Sequence, residues 1–212
     1  MLAVKIIVAV ACAVGSYLVC GLNPAIILSR RIYGEDIRNS GSGNAGFSNF
    51  KRVYGSKYAW WVFVLDLAKS ALLPAISGLL FMLTGMGWIN GVWVSGVFCL
   101  LGHAYPVWYG FHGGKGFLTV LAMAFMLDWR CGLLAFAVMT VLLLTVKIMS
   151  VSTLSGLLAG AILLWFICPS LPAKIAFTAC VVFVWARHHE NINRLFHGKE
   201  SRFNIFGDKP KK

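Results

Sequence analysis

Acidic residues are scarce in this chain. Its 212 residues include 7 Asp and Glu against 19 Lys and Arg, and charged residues of both signs make up only 12% of the sequence. A soluble globular domain carries about 25% charged residues, so no water-facing surface of ordinary size can be drawn from this one. The six cysteines, Cys12, Cys20, Cys99, Cys131, Cys168 and Cys180, contain no CxxC pair, and each lies in an apolar run. That excludes a disulfide framework and the usual zinc spacings, and leaves small buried hydrophobes. No metal site and no cofactor is expected. Sequence repeats and low-complexity linkers are also absent, which leaves little room for a second domain.

Apolar residues are plentiful. They make up 59% of the chain, and the mean hydropathy is +0.78. At about 20 residues per membrane helix, the length accommodates about seven spans. The apolar runs place them near 4–28, 58–83, 88–101, 116–127, 131–148, 154–167 and 173–186. The start of the chain reads as an uncleaved first span, because a single Lys5 makes a poor charged region for a leader. The expectation is an all-α, polytopic helical membrane protein forming one domain over 1–212. Three segments, 29–57, 102–116 and 187–212, lie outside the bilayer as motif-bearing loops.

Charge placement fixes the expected orientation. With seven spans, fifteen of the nineteen Lys and Arg fall on one side, and only Lys5, Arg130 and Lys174 fall on the other, with Lys69 inside a span. The positive-inside rule then puts the N-terminus outside and the C-terminus in the cytoplasm. The net charge of +12 is thereby assigned to topology and to an anion site, not to nucleic acid. All five histidines share the cytoplasmic side with the glycine-rich loops. A transporter would be expected to carry its polar groups near mid-membrane, on broken helices.

Three motifs stand out on that side. Gly41-Ser42-Gly43-Asn44-Ala45-Gly46-Phe47-Ser48-Asn49 ends in Lys51-Arg52. Its glycines allow close backbone approach, Ser42, Asn44, Ser48 and Asn49 supply neutral hydrogen-bond groups, and Arg52 offers a two-point phosphate contact. By composition alone, a flexible basic loop is an equal reading. Gly102-His103-Ala104-Tyr105-Pro106 precedes Phe111-His112-Gly113-Gly114-Lys115-Gly116, which runs directly into a span. A helix N-terminus with free N–H groups and a Lys attracts anions, although an ordinary glycine turn has the same look. Arg187-His188-His189-Glu190-Asn191-Ile192-Asn193-Arg194 is followed by Gly198-Lys199-Glu200. On a helix continuing from the last span, His188, Asn191 and Arg194 share roughly one face. The competing reading is a basic segment touching anionic lipid. Asp66 and Lys69, three residues apart within a span, read as a structural ion pair.

Taken together and in this order, the motifs resemble those of the bacterial acyl-phosphate:glycerol-3-phosphate acyltransferases, the PlsY family, whose patterns run GSGNxGxTNxxR, then GHxxP with FxGGKGxAT, then RHxxNIxRL with GxE. The resemblance spans the chain and includes Asp66 and Lys69 against a DxxKG element. Ser48 replaces Thr, Ser70 replaces Gly, Leu118 replaces Ala, and Phe47 stands where the family has a small residue. These changes bear on pocket size and acyl-chain preference. The resemblance implies transfer of a fatty acyl group from acyl phosphate to the 1-hydroxyl of glycerol 3-phosphate, giving lysophosphatidic acid and phosphate in phospholipid synthesis. It implies that Ser42, Arg52, Lys115, His188 and Asn191 carry the reaction. Gly41, Gly43, Asn44, Ser48, Asn49, Gly113, Gly114, Gly116, Thr119 and Arg194 would bind substrate, and Asp66, Lys69, His103 and Glu200 would support the site. The implied setting is a monomer in the bacterial inner membrane, with membrane lipid around it and its site facing the cytoplasm. No histidine is followed five positions later by an acidic residue, so a His–Asp base of the HxxxxD kind is excluded. An anion or phospholipid transporter is the alternative.

Overall fold

The first apolar stretch does not run as one helix. In the computed structural model, which describes residues 1–203, α1 (Leu2–Gly21) stops and α2 (Pro24–Leu28) begins afresh. Asn23 causes the break. Its backbone is extended, and its side chain accepts the N–H groups of Ala25 at 3.0 Å and Ile26 at 3.2 Å, while Pro24 at the first helical position needs no acceptor. A π-helical turn over Ser29–Tyr33 follows.

The segment expected as a loop from 29 to 57 contains more order than its glycines imply. It holds a 3-10 turn, Ile37–Asn39, and a two-turn helix, α3 (Phe47–Tyr54). The remaining helices are α4 (Ser56–Leu83), α5 (Trp88–Ala104), α6 (Phe117–Leu127), α7 (Trp129–Thr145), α8 (Met149–Ile167), α9 (Leu171–Arg187) and α10 (His189–Phe196). No strand occurs among the described residues, and the molecule is all-helical. The tail residues Lys209, Lys211 and Lys212 lie outside the described residues.

Several helix ends differ from the hydropathy boundaries. α8 starts at Met149, not near 154, because Ser152 and Thr153 return their hydroxyls to the carbonyls of Ile148 (2.8 Å) and Met149 (2.9 Å). Such back-bonding lets polar residues stay helical. The last span does not continue through the third motif. The chain leaves helical geometry at His188 (φ −97°, ψ 11°) and restarts as α10.

Four helical stretches among the described residues are long and apolar enough to cross a membrane: Leu2–Tyr33, Ser56–Leu83, Trp88–Tyr109 and Met149–Ile167. α6 has 11 residues, and at 1.5 Å per residue it is only about 16 Å long, about half of a hydrocarbon core. Helix crossings rely on small residues, as expected where lipid removes the hydrophobic drive for association. A Cβ on Gly102 would meet the Tyr17 carbonyl oxygen at 2.1 Å, and one on Gly91 would meet that of Ser77 at 2.2 Å. Ser16 and Ser95 share a buried hydrogen bond of 2.6 Å where α1 crosses α5.

The motif loops meet at one end of the bundle. Arg38 donates to the carbonyls of Tyr109 (2.8 Å) and His112 (2.9 Å), joining the first motif to the second. Arg187 donates to Gly114 O at 3.2 Å, joining the third to the second. The Phe203 N–H reaches Lys147 O at 2.7 Å, bringing the α7–α8 turn to the same end. A small core built on Ile26, Ile37, Phe50 and Val62 seats α2, the 3-10 turn and α3 on α4. α6 packs on both α4 and α7, which make little contact with each other. A cleft is left between them.

Candidate active site

The first motif is a loop braced from within. Asn49 is buried, accepts the Ser42 N–H at 2.8 Å, and donates to the carbonyls of Ser40 (2.9 Å) and Ile37 (3.3 Å). Its amide is therefore spent on shaping the loop. Gly41 has φ +64°, and a Cβ there would meet Asn49 Oδ1 at 2.3 Å, so glycine is required on both counts. Asn23 adds a brace from outside by donating to Ala45 O at 3.1 Å. Asp36 grips Arg38, which reaches the second motif, and the Arg38 hydrogen bonds hold the Asp36 carboxyl well below the usual range. Neither the Asn23 bond to Ala45 nor the reach of Arg38 to Tyr109 and His112 carries a local sequence signal, because each joins distant segments.

The second motif differs from its sequence reading in one respect. The Gly113 and Gly114 N–H groups are not free. They bond the carbonyls of Ala104 (3.0 Å) and His103 (3.1 Å), folding the loop back on the end of α5. The unpaired donors at this end belong instead to the first turn of α6, which begins at Phe117 after Gly116 at φ +86°. Thr119 does not reach the cavity lining either. It is buried, with its hydroxyl 3.1 Å from Ser70 Oγ.

Below the loops, Lys69 makes an ion pair with Asp66 (2.9 Å) and donates to the carbonyls of Cys20 (2.8 Å) and Leu22 (2.9 Å). It thereby satisfies carbonyls left unpaired where α1 ends. His103 Nδ1 stands 3.5 Å from Asp66 Oδ1.

Glu200 organises the third motif. Its carboxylate accepts from Asn191 (2.6 Å), Ser150 (3.0 Å) and Arg194 (2.8 Å). Burial opposes its ionisation, but these hydrogen bonds outweigh it and keep the pKa below the usual value. The Asn191 carbonyl oxygen, oriented by this contact, accepts from Lys115. Burial pushes the Lys115 ammonium down to about 8, with the Arg194 charge adding to the effect. His188 is buried, and its Nδ1 lies 2.7 Å from Val184 O. A carbonyl only accepts, so Nδ1 carries the proton and Nε2 presents a lone pair. Burial pushes this ring down to about 4, so it is neutral at physiological pH.

These groups line one cavity of ≈ 460 Å³. Its polar half holds Ser42, Arg52, Lys115, His188, Asn191 and Arg194, gathered from all three motifs. Its apolar half is walled by Phe47, Trp60 and Phe63 on one side and by Phe136, Met139 and Leu143 on the other. Asn44, Ser48, Gly116, Asp66, His103 and Glu200 also line it. Sequence reasoning did not single out Ser201 or Phe203, which also line it. Chemically, the cavity can hold a phosphate dianion beside a long alkyl group.

A family model described as glycerol-3-phosphate acyltransferase matches residues 10–198. The glycerol-3-phosphate acyltransferase of Photobacterium profundum is 35% identical over 192 residues, covering 89% of this chain and 90% of that protein. That of Aquifex aeolicus is 34% identical over 175 residues, covering 82% and 88%. The crystal structure of PlsY (YgiH), an integral membrane glycerol 3-phosphate acyltransferase, in its glycerol 3-phosphate form superposes with a TM-score of 0.84 at 29% identity, covering 92% of this chain and 96% of that one. The lysophosphatidic acid form gives a TM-score of 0.78 at 28% identity, covering 92% and 95%. With the three motifs brought around one cavity, the chain belongs to the integral-membrane glycerol-3-phosphate acyltransferase family that includes PlsY.

Proposed function

We propose that this membrane acyltransferase moves a fatty acyl group from acyl phosphate to the 1-hydroxyl of glycerol 3-phosphate, releasing lysophosphatidic acid and phosphate. The observation that carries this reading is the single cavity in which Arg52, Lys115 and Arg194 adjoin an apolar slot between α4 and α7. Both substrates are anionic and one is a lipid, so a site for them needs cations beside hydrocarbon walls. Ser42, Arg52, Lys115, His188 and Asn191 hold the acceptor, and the α6 N-terminus faces the acyl phosphate. The motif end faces the cytoplasm of the bacterial inner membrane. α1 and α4 to α9 make seven crossings by a monomer, with α6 crossing only in part. The concentration of basic residues at the motif end supports this orientation.

In the reaction, the acceptor oxygen bonds the acyl carbon, and the bond from that carbon to the phosphate oxygen breaks, with phosphate leaving on the electron pair. The hydroxyl proton passes to the acceptor's own phosphate, whose second pKa is about 6. His188 is a weak base for this, being pushed down to about 4. Its fixed Nε2 lone pair serves to orient the hydroxyl. His188→Gln, which keeps an acceptor atom, is therefore expected to retain kcat within about tenfold. A fall of about a thousandfold with KM unchanged would make His188 the base.

Lys115 sets the alkaline limit. Its ammonium, near 8 in the free enzyme, loses its charge as pH rises through that value, and phosphate binding weakens with it. The kcat/KM profile, which reports the free enzyme, should fall above about pH 8 in the parent. Lys115→Arg, permanently charged, should lack that limb even if its rate is lower overall. An identical limb in both proteins would remove Lys115 from this role.

The direct test incubates purified protein with palmitoyl phosphate and glycerol 3-phosphate. Equal amounts of phosphate and lysophosphatidic acid are expected. No transfer by folded protein, with phosphate flux into vesicles, would favour a transporter.

A further inference from the structure

The two walls of the cleft are joined at its mouth by a segment that starts at Glu200, the last residue of the third motif, and continues beyond it. The chain leaves α10 at Phe196, and after Glu200 it crosses from one wall to the other. Arg52 on α3 donates to Ser201 Oγ at 3.0 Å. The Phe203 ring lies 6.0 Å from that of Phe47, and the Lys51 ammonium lies over its face at 5.2 Å. The Phe203 backbone bonds the opposite wall through Lys147 O at 2.7 Å. Lys147 itself has φ +60°, a left-handed conformation that a residue with a side chain adopts only at a cost. The Lys147 carbonyl meets the incoming segment at the Phe203 N–H. Glu200 anchors the near end on Ser150 of α8.

We infer that Glu200–Phe203 is a strap that closes the cleft over bound substrates, and that Phe203 is a positioning residue for acyl transfer. The inference rests on the acyltransferase reading above. Two features support a role in the reaction over a purely structural one. First, Ser201 and Phe203 line the cavity themselves. Second, the strap holds Arg52, the phosphate-binding guanidinium, by a single neutral hydroxyl contact. A phosphate dianion makes stronger, charge-assisted bonds to the same fork. Substrate therefore takes Arg52 from Ser201 without displacing a charged partner among the described residues.

The chemical purpose is exclusion of water. Acyl phosphate is an activated donor. A water molecule at the acyl carbon forms the carbon–oxygen bond in place of the acceptor, yielding fatty acid and phosphate without lysophosphatidic acid. Phe203 places an aromatic ring in the cavity lining beside Phe47, which packs in turn on Trp60 and Phe63.

The experiment measures phosphate and lysophosphatidic acid together in the full-length chain. The parent should give a ratio near one. Phe203→Ala, which removes the ring, should raise the phosphate-to-product ratio roughly twofold or more and raise KM for glycerol 3-phosphate about 3–10-fold, with a smaller change in kcat. Phe203→Leu, which keeps apolar bulk, should restore most of the coupling. Phe203→Pro removes the N–H that Lys147 accepts and should also uncouple the reaction. It decides the question if the alanine variant fails to fold. A ratio that stays near one in the folded variants, with KM unchanged, overturns the strap. A parent that makes no lysophosphatidic acid overturns the functional reading, and the strap with it.

Discussion

Arg52→Ala is expected to lower kcat/KM for glycerol 3-phosphate by about 10²–10³-fold, equivalent to roughly 3–4 kcal/mol, while the thermal midpoint of the purified protein stays close to the parent value. The asymmetry follows from its surroundings. Arg52 sits half-buried at the cavity wall, its hydrogen bond in the free protein goes to the exposed Ser201, and among the described residues no carboxylate pairs with it directly. Folding thus depends little on it, whereas a bound phosphate loses a planar two-point contact. Arg52→Lys should recover only part of the loss, since an ammonium supplies charge without the fork. Product formation is the measurement. Parental kcat/KM in the alanine variant would mean that phosphate is held elsewhere.

Gly114→Ala should be nearly as damaging to activity, by about 10²-fold, and should also cost about 1–3 kcal/mol of stability. A Cβ at this position would lie 2.2 Å from His103 Nε2 and 2.8 Å from the Ala45 carbonyl oxygen. His103 cannot swing away freely, because it is buried against Asp66 at 3.5 Å. Ala45 is backbone of the first motif, also held by Asn23. One methyl group therefore pushes the first and second motifs apart, and with them Arg52 from Lys115. Gly15→Ala is the control: nothing lies within 4 Å of a Cβ there, and no loss of stability is expected, since alanine is favoured over glycine inside a helix by up to about 1 kcal/mol. Thermal unfolding in detergent alongside activity tests both. If Gly114→Ala matched the control, the two loops would not be pressed together as they are here.

Much of the architecture is legible in hydropathy. Each apolar run after the first corresponds to one helix, the first is split into α1 and α2, and the turns at 84–87 and 168–170 fall where glycine and proline place them. The breaks inside apolar sequence are harder to read. Asn23 is one polar residue within a long hydrophobic run, and only its capping bonds and its reach to Ala45 show that it ends a helix. α3 is hidden for the opposite reason, since it is a helix within a glycine-rich polar stretch and its stability comes from Phe50 packing into the small core. In the site, charged residues separated by more than a hundred positions, such as Arg52 and Arg194, are brought to one cavity. The motif pattern identified them as residue types suited to phosphate. It did not reveal which backbone donors were already used. The Gly113 and Gly114 N–H groups look available in a glycine-rich loop and are consumed by α5. The strap illustrates the same limit. Phe203 follows the last motif in a basic tail, and its significance rests on a bond to Lys147, which has no sequence signature.

The narrow contact between α4 and α7 has a consequence for supply and removal of lipid. On the proposed reading, the slot opens sideways into the hydrocarbon, so the donor's alkyl chain enters, reacts and leaves without being extracted into water. Only the polar acceptor and free phosphate need to cross the aqueous mouth. On that reading the enzyme would sample its lipid substrate by two-dimensional diffusion, its turnover would follow the mole fraction of donor in the surrounding bilayer, and the product would be released directly into the leaflet in which the next lipid-modifying step finds it.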